Sequence, residues 1–238
     1  MTATWLVIGA SSIIAEAFAA CAAAQQHPLI LCGRDGEHLA IIAADLRLRY
    51  RIRCDILHCD LAVDASPVLT CLQDETREFA LFIAASHIVD NDQLTARETE
   101  TMLRVNVVSI SQIIHAFIQK QQTAHRLIFL SSVAACRGRA KNSLYGGSKA
   151  AIECYLQGLQ QQAAASVSIT VARLGYIDTV QTWGMPGIFY AASPESCAQT
   201  CWKASYARRR LVYCPFFWRY IMGILTRLPF FIWKKMKI

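Results

Sequence analysis

A chain of 238 residues suits one domain with a substantial core, and its 54 % apolar content excludes a disordered polypeptide. The formal net charge of +7 is unevenly spread. Residues 1–195 carry 15 Lys/Arg against 17 Asp/Glu, whereas residues 196–238 carry nine Lys/Arg and no acid, so the cationic character belongs to the last fifth of the chain.

Apolar runs alternate with helical patterns from the first residues onward, the signature of repeated βα units and a parallel sheet. Residues 3–8 read as a first strand, followed by a small-residue turn at Gly9–Ser12 and an Ala-rich helix to Gln25. A second strand spans 28–32 and a helix 36–50, with apolar Leu39, Ile42, Ala43 and Leu46. A third strand spans 53–58 and ends at Asp60-Leu61. The fourth, 79–84, is apolar throughout, as a strand covered on both faces should be. A long helix over 98–122, a strand over 126–131, a helix over 143–165 and a strand over 167–174 follow. A helix from Pro194 to Ala207 and a short seventh strand at 210–214 complete the pattern. The fold expected is a doubly wound α/β domain over residues 1–214, with ligands beyond the carboxyl ends of its strands. Residues 215–238 form a separate tail.

The ten cysteines suggest neither disulfides nor zinc. Cys21, Cys32, Cys71, Cys154 and Cys214 fall inside apolar patterns, where Cys behaves as a small buried hydrophobe. Cys197 and Cys201 are one helical turn apart and Cys54 and Cys59 flank a strand, with no second CxxC or His at zinc spacing. Met1 leads into the first strand without a basic and apolar leader, so a reducing cytoplasmic setting is expected.

Four landmarks lie at the strand ends. In Ile8-Gly9-Ala10-Ser11-Ser12-Ile13-Ile14-Ala15, a turn and a helix N-terminus direct backbone N–H groups and a positive dipole end at a pyrophosphate. With one glycine, this is also what any tight βα turn looks like. Gly33-Arg34 ends the second strand, where NAD-binding folds place an acid for the ribose; an Arg there accommodates a 2′-phosphate. The alternative is an ordinary solvated Arg. Asp60 stands where it could meet an adenine, or simply cap a turn. The strongest landmark pairs Ser131-Ser132 with Tyr145-Gly146-Gly147-Ser148-Lys149. Tyr and Lys four residues apart share a helical face, and an ammonium beside a phenol lowers its pKa from about 10 toward working pH. Tyr145 then becomes a general acid–base, with Ser132 bonding the substrate oxygen. Last, Arg173-Leu174-Gly175-Tyr176-Ile177-Asp178-Thr179 is a loop placed for a nicotinamide carboxamide.

Together these residues resemble the short-chain dehydrogenase/reductase family over about residues 3–214, which implies a single Rossmann-type domain. The family's Asn-Ser-Tyr-Lys set is matched by Asn106, Ser132, Tyr145 and Lys149. The resemblance implies that Tyr145 transfers the proton, Lys149 binds the nicotinamide ribose, Ser132 orients the carbonyl and Asn106 holds a water. It also implies a cofactor, NADP(H) in preference to NAD(H), held by Gly9, Ser11, Ser12, Ile13, Ile14, Arg34, Asp60, Leu61, Ala84, Ala85, Tyr145, Lys149, Ile177 and Thr179. Two segments depart from the pattern. The T-G-x-x-x-G-x-G turn has Ile8, Ile13 and Ala15 for Thr and two glycines, as in a subgroup with A-T-S-A-I-A there. The N-N-A-G segment appears as Ile83-Ala84-Ala85-Ser86, and Leu174 replaces a Pro in P-G-x-x-x-T.

The tail reads PFFWRYIMGILTRLPFFIWKKMKI. Its uncharged runs are far shorter than the ~20 residues that cross a bilayer. Arg219, Gly223, Thr226 and Arg227 share a narrow helical face, opposite Phe217, Trp218, Tyr220, Ile221, Ile224, Leu225 and Leu228. Aromatics beside cations describe an interfacial segment at the inner face of a membrane; the alternative is a helix packed on the core or a dimer interface. The many bulky aliphatics argue against nucleic acid. Within the family such a tail is similar to reductases of polyprenyl-phosphate-linked keto-sugars and of sphingoid or acyl lipids. The expected function is hydride transfer between NADP(H) and a ketone or alcohol, lipid-linked or membrane-proximal, by a homo-oligomer. The alternatives are a reductase of small soluble carbonyls and a non-catalytic nucleotide sensor.

Overall fold

The computed structural model describes residues 2–178 and 190–236. Seven parallel strands form one sheet: β1 (Thr4–Ile8), β2 (Leu29–Gly33), β3 (Cys54–His58), β4 (Phe79–Ile83), β5 (His125–Ser132), β6 (Val167–Leu174) and β7 (Leu211–Cys214). Their spatial order is β3-β2-β1-β4-β5-β6-β7, so the chain reverses direction across the sheet between β1 and β4. It is a single-domain Rossmann-type α/β fold.

Alternation along the strands supplies two cores. Trp5, Val7, Leu29, Leu31, Phe82 and Leu130 face one side, under α1 (Ile13–Ala24), α2 (Gly36–Tyr50) and α7 (Pro194–Tyr206). Leu6, Ile8, Ile30, Leu81, Ile83 and Phe129 face the other, under α3 (Ser66–Leu72), α5 (Ile110–Gln119) and α6 (Ser143–Gln162). This is why the central strands read as continuous apolar runs. The small side chains of α1 let it lie close to the sheet, where Phe18 stacks on Phe82 with ring centroids 3.8 Å apart. Asp35, Thr95 and Ser193 cap α2, α4 (Ala96–Leu103) and α7 by accepting backbone N–H groups from the first turns.

The expected strands are all present, and the differences lie in helices. Seven-residue α3 was too short for periodicity to reveal. The long helix expected over 98–122 is α4, a π-helical stretch at Arg104–Ser109, and α5. By length and composition this Ala96–Gln119 run could cross a membrane, yet Ile110, Ile113, Ile114 and Phe117 are buried against the sheet. β5 runs one residue beyond the expected end, making Ser132 its last residue. All ten cysteines are free thiols. Cys32 and Cys214 are buried as expected, Cys21 and Cys71 are half-buried, and Cys154 is exposed. Cys154 lies away from the face of α6 that Ser148, Lys149, Ile152 and Leu156 turn inward.

The tail is docked on the domain. It comprises α8 (Trp218–Leu225) and α9 (Phe230–Trp233). Arg137 donates to the Leu225 and Leu228 carbonyls and lies over the Trp233 ring, whose Nε1 donates to Gly138 O at 3.0 Å. Trp218 packs on Gly175 so closely that a Cβ there would overlap the indole. The apolar arc of α8 therefore divides: Met222 is buried and Trp218, Ile221 and Leu225 are half-buried, whereas Tyr220 and Ile224 face outward. Gly175→Ala is expected to destabilise the protein by about 1–3 kcal/mol through overpacking. In a Trp218→Ala background the same change should be nearly neutral, a coupling that denaturant melts of the double-mutant cycle read directly.

Candidate active site

The site is built at the carboxyl ends of β1, β4 and β5. Ile8 O accepts from both Ala84 N at 2.8 Å and Ala85 N at 3.0 Å, which draws the segment after β4 across the first βα turn. Gly9 sits beneath that crossing with φ +79°, and a Cβ on it would stand 2.5 Å from Ala85 N. No other residue type fits there.

A cavity of about 250 Å³ opens beside the turn. Of the residues expected to hold a cofactor, Gly9, Ser11, Ser12, Arg34, Asp60, Leu61, Ala84 and Ala85 line it. Ile13 is exposed and the Ile14 side chain is in the core, so neither side chain lines the cavity. Their backbone N–H groups begin α1, where helical geometry leaves them without intrahelical partners. Ser12 occupies the N-cap without making a side-chain capping bond, in contrast to the caps of α2, α4 and α7. The bulk of Ile13 is thus turned outward rather than into the phosphate approach. Ile177 is buried and bridges to Ala192 outside the cavity, and Thr179 lies outside the described residues.

Arg34 is exposed at the cavity rim and makes no hydrogen bond or ion pair among the described residues. The neighbouring Asp35 carboxylate is spent on capping α2, accepting from His38 N at 3.0 Å. Asp60 accepts from Ala62 N at 2.9 Å, so it braces its own turn while facing the cavity. The donor set suits a phosphorylated dinucleotide: a free helix N-terminus, a glycine cradle, and a cation where a carboxylate would favour the unphosphorylated ribose.

Tyr145 and Lys149, also expected at the cofactor, do not line this cavity, nor do Ser132 and Asn106; they adjoin it through two lining residues, Ser86, which bonds the Tyr145 phenol, and His87, whose main chain bonds Asn106. Ser132 closes β5, and Tyr145 and Lys149 project from one face of α6. Hydrogen bonds from Ser86 and Ser132 reach the Tyr145 phenol. Lys149 is buried; its Nζ donates to Leu130 O at 2.9 Å and lies 5.9 Å from the Tyr145 ring centroid. Asn106 is buried in the π-helical stretch. Its carboxamide pairs with the His87 main chain, accepting from N at 2.7 Å and donating to O at 2.8 Å, and also donates to Ser148 Oγ at 3.0 Å. Asn106 thus ties the segment after β4 to α6. Gly146 fits under Ala134 O with no room for a Cβ, bringing α6 against the loop after Ser132.

The electrostatics correct one expectation. Burial pushes the Tyr145 pKa up, and the hydrogen bonds from Ser86 and Ser132 only partly offset it; Lys149 contributes no lowering. The reason is that Lys149 is itself desolvated, which lowers its pKa to about 7 while Glu153, one turn further along α6, pulls upward. Tyr145 is therefore held as a neutral phenol. Glu153 accepts from Ser131 Oγ at 2.5 Å and pairs with Arg173, whose Nη1 donates to the Tyr213 hydroxyl at 2.7 Å.

Ser86, His87, Ser148 and the Glu153–Arg173 pair escaped sequence reasoning. Ser86, Ser148 and Arg173 each lay in a segment the sequence singled out, after β4, at the start of α6 and at the end of β6, but with no role read for them. Cys32 and Cys59, which hydrogen-bond each other, also line the cavity, although only burial was expected of Cys32. Among the described residues, no group of three or more His, Cys, Asp or Glu is arranged to hold a metal.

Burial of Lys149 has a consequence for stability. The fold favours the neutral amine, whereas the unfolded chain binds the extra proton up to about the ordinary value of 10.5. The penalty is full below pH about 7 and is relieved as the pH rises toward 10.5, so stability increases with pH over that window. Thermal melts between pH 7 and 10 should therefore show the native protein gaining on Lys149→Met as the pH rises.

Comparison with known proteins agrees with this geometry. The profile of the short chain dehydrogenase family matches residues 3–185. An uncharacterized oxidoreductase of Mycobacterium tuberculosis is 29 % identical over 219 residues, covering 87 % of each chain. A 7beta-hydroxysteroid dehydrogenase of Collinsella aerofaciens is 25 % identical over 212 residues, covering 81 % of this chain and 78 % of its own. Among solved structures, a short-chain dehydrogenase from Sphingobium yanoikuyae in complex with NADPH superposes with a TM-score of 0.80 at 21 % identity, covering 95 % of this chain and 96 % of that one. The bulky-bulky ketone specific alcohol dehydrogenase from Comamonas testosteroni reaches 0.82 at 18 % identity, covering 95 % of each. With its sheet order, its glycine turn and the Ser132–Tyr145–Lys149 cluster, the chain belongs to the short-chain dehydrogenase family of NAD(P)-dependent oxidoreductases.

Proposed function

We propose that the protein is an NADPH-dependent ketone reductase in which Tyr145 is the proton donor. The observation that carries this reading is the Tyr145 phenol held neutral by burial, with Ser132 and Ser86 hydroxyls on its oxygen and Ser86 itself lining the cavity beside the Gly9 turn. NADPH supplies the hydride, held by the α1 N-terminus, Gly9, Ser11, Ser12, Ala84 and Ala85, with Arg34 on the 2′-phosphate. Ser132 orients the carbonyl oxygen, and the Tyr145 proton passes to it as charge develops there. Lys149 serves the nicotinamide ribose and returns a proton toward Tyr145. Asn106 holds a water of the relay and keeps the segment after β4 in register. The intact set of four favours an enzyme over a nucleotide sensor.

The substrate is an apolar or lipid-linked ketone rather than a small soluble carbonyl. Two observations support this: the relatedness to a hydroxysteroid dehydrogenase, and the aromatic tail beside the loops after β5 and β6. Loss of NADPH absorbance with aliphatic, cyclic and aryl ketones tests the activity, and a native protein that oxidises NADPH with none of them contradicts it. Tyr145→Phe keeps the ring and removes the donor, so kcat should fall by about 10²–10⁴-fold with the melting curve unchanged. Near-native turnover in that variant would reject Tyr145 as the acid.

Cofactor choice rests on Arg34, whose guanidinium can pair with the 2′-phosphate by charge-assisted bonds. Arg34→Ala should weaken NADPH binding by roughly tenfold or more and leave NADH nearly unchanged, as read by fluorescence titration. Equal affinities for the two cofactors in the native protein would exclude the preference.

A further inference from the structure

We propose that the outer face of the C-terminal helical pair is a docking surface for an anionic lipid bilayer, from which the ketone of the reaction proposed above reaches Tyr145. Phe216, Tyr220, Ile224, Phe230 and Phe231 each expose between 65 and 74 % of their surface. They stand out against the groups the same segment turns inward: Met222 is buried, the half-buried Trp218 packs over Gly175, and Trp233 is bonded to Gly138. The pair is docked by one apolar face and presents a second one to the outside.

Cations frame that second face. Arg219 and Arg227 border a shallow groove floored by Tyr220, Gly223, Ile224 and Leu228, and the exposed Lys234 and Lys235 follow Phe230 and Phe231 within one to two turns. Residues 196–238 contain no acid to neutralise them. Aromatic rings with basic side chains around them match the headgroup region of an anionic leaflet: rings enter the acyl boundary and cations meet phosphates. A second copy of this chain is a poorer occupant, because a two-fold contact would set this acid-free surface against itself. The face is also pre-organised. Arg137 holds the turn between the helices by the Leu225 and Leu228 carbonyls, so docking orders little additional chain.

The position of the surface gives it a role in the reaction. The two loops that grip the tail are Arg137–Gly138, five residues beyond Ser132, and Gly175–Tyr176, at the end of β6. Both leave the sheet at the edge where Tyr145 and Ser132 stand. A bilayer against the tail would lie near the carboxyl edge of the sheet, the edge that carries Ser132 and Tyr145, so an apolar ketone held in the lipid would be delivered to that edge.

The test is co-sedimentation of the full chain with vesicles of phosphatidylglycerol and phosphatidylcholine in equal parts, against vesicles of phosphatidylcholine alone. Binding is expected to the anionic vesicles, weakened about tenfold or more by high salt. The double variant Phe230→Asp, Phe231→Asp changes exposed side chains only; it should lose vesicle binding while keeping its melting temperature and its turnover of a water-soluble aryl ketone. A native protein that stays in solution with anionic vesicles at low salt overturns the proposal. So does a variant that sediments as well as the native chain, or sedimentation velocity showing that Phe230 and Phe231 mediate self-association instead. Vesicle binding without turnover of any ketone would reject the reductase reading and leave the docking surface standing.

Discussion

The crossing of the chain over Gly9 sets the rest of the structure. β1 and β4 are neighbours in the sheet, yet α1 leaves β1 toward one face and the chain after β4 turns toward the other. At that divergence Ile8 O binds two successive amides, of Ala84 and Ala85, and the backbone can pass only because Gly9 lacks a Cβ and takes a positive φ. The crevice this opens is the place where a parallel α/β sheet binds ligands. The substitution of larger residues elsewhere in the turn is tolerated because Ile13 points to solvent and Ile14 into the core. Within this turn, Gly9 under the crossing is the sterically obligatory residue.

Burial then determines the chemistry of the site. Lys149 is buried and Tyr145 half-buried, and desolvation opposes charge on each: the phenol is pushed up and the ammonium down. Their relation is more balanced than that of a fixed cation beside a phenol. Glu153 restrains the amine from losing charge altogether while being itself committed to Arg173 and Ser131. A buried carboxylate this close to Lys149 would be disruptive if unpaired; its bidentate pairing with Arg173 makes it compatible with the site.

Asn106 shows how a helix irregularity serves this arrangement. It lies in the π-helical stretch between α4 and α5, the kind of local widening that recurs at functional sites. From there its carboxamide reaches the main chain of His87 on one side and Ser148 on the other, joining the loop after β4 to the helix that carries Tyr145 and Lys149. The tail makes a comparable connection between the loops after β5 and β6, through Arg137 and Gly175.

What was legible in the sequence was local. The period of the apolar residues identified the strands, and the four-residue spacing of Tyr145 and Lys149 placed them on one helical face. The Gly9 turn and the Gly33-Arg34 strand end followed from strand–turn–helix order alone. Resemblance added Asn106, which no periodicity singles out. What the tertiary structure decided depended on contacts between distant segments. The sign of the Tyr145 shift follows from desolvation outweighing the hydrogen bonds of Ser86 and Ser132, which approach from the ends of β4 and β5. The exposure of Cys154 depends on which face of α6 meets the sheet, and a helix with apolar residues on several sides leaves that open. The tail is the clearest case. Its composition announced an apolar, cationic segment, but the division of its rings into a docked face and an outward one depends on Arg137, Gly138 and Gly175, between 40 and 100 residues earlier in the chain. Sequence spacing is blind to such pairings because side chains far apart along the chain become neighbours only when the sheet brings their loops to one edge.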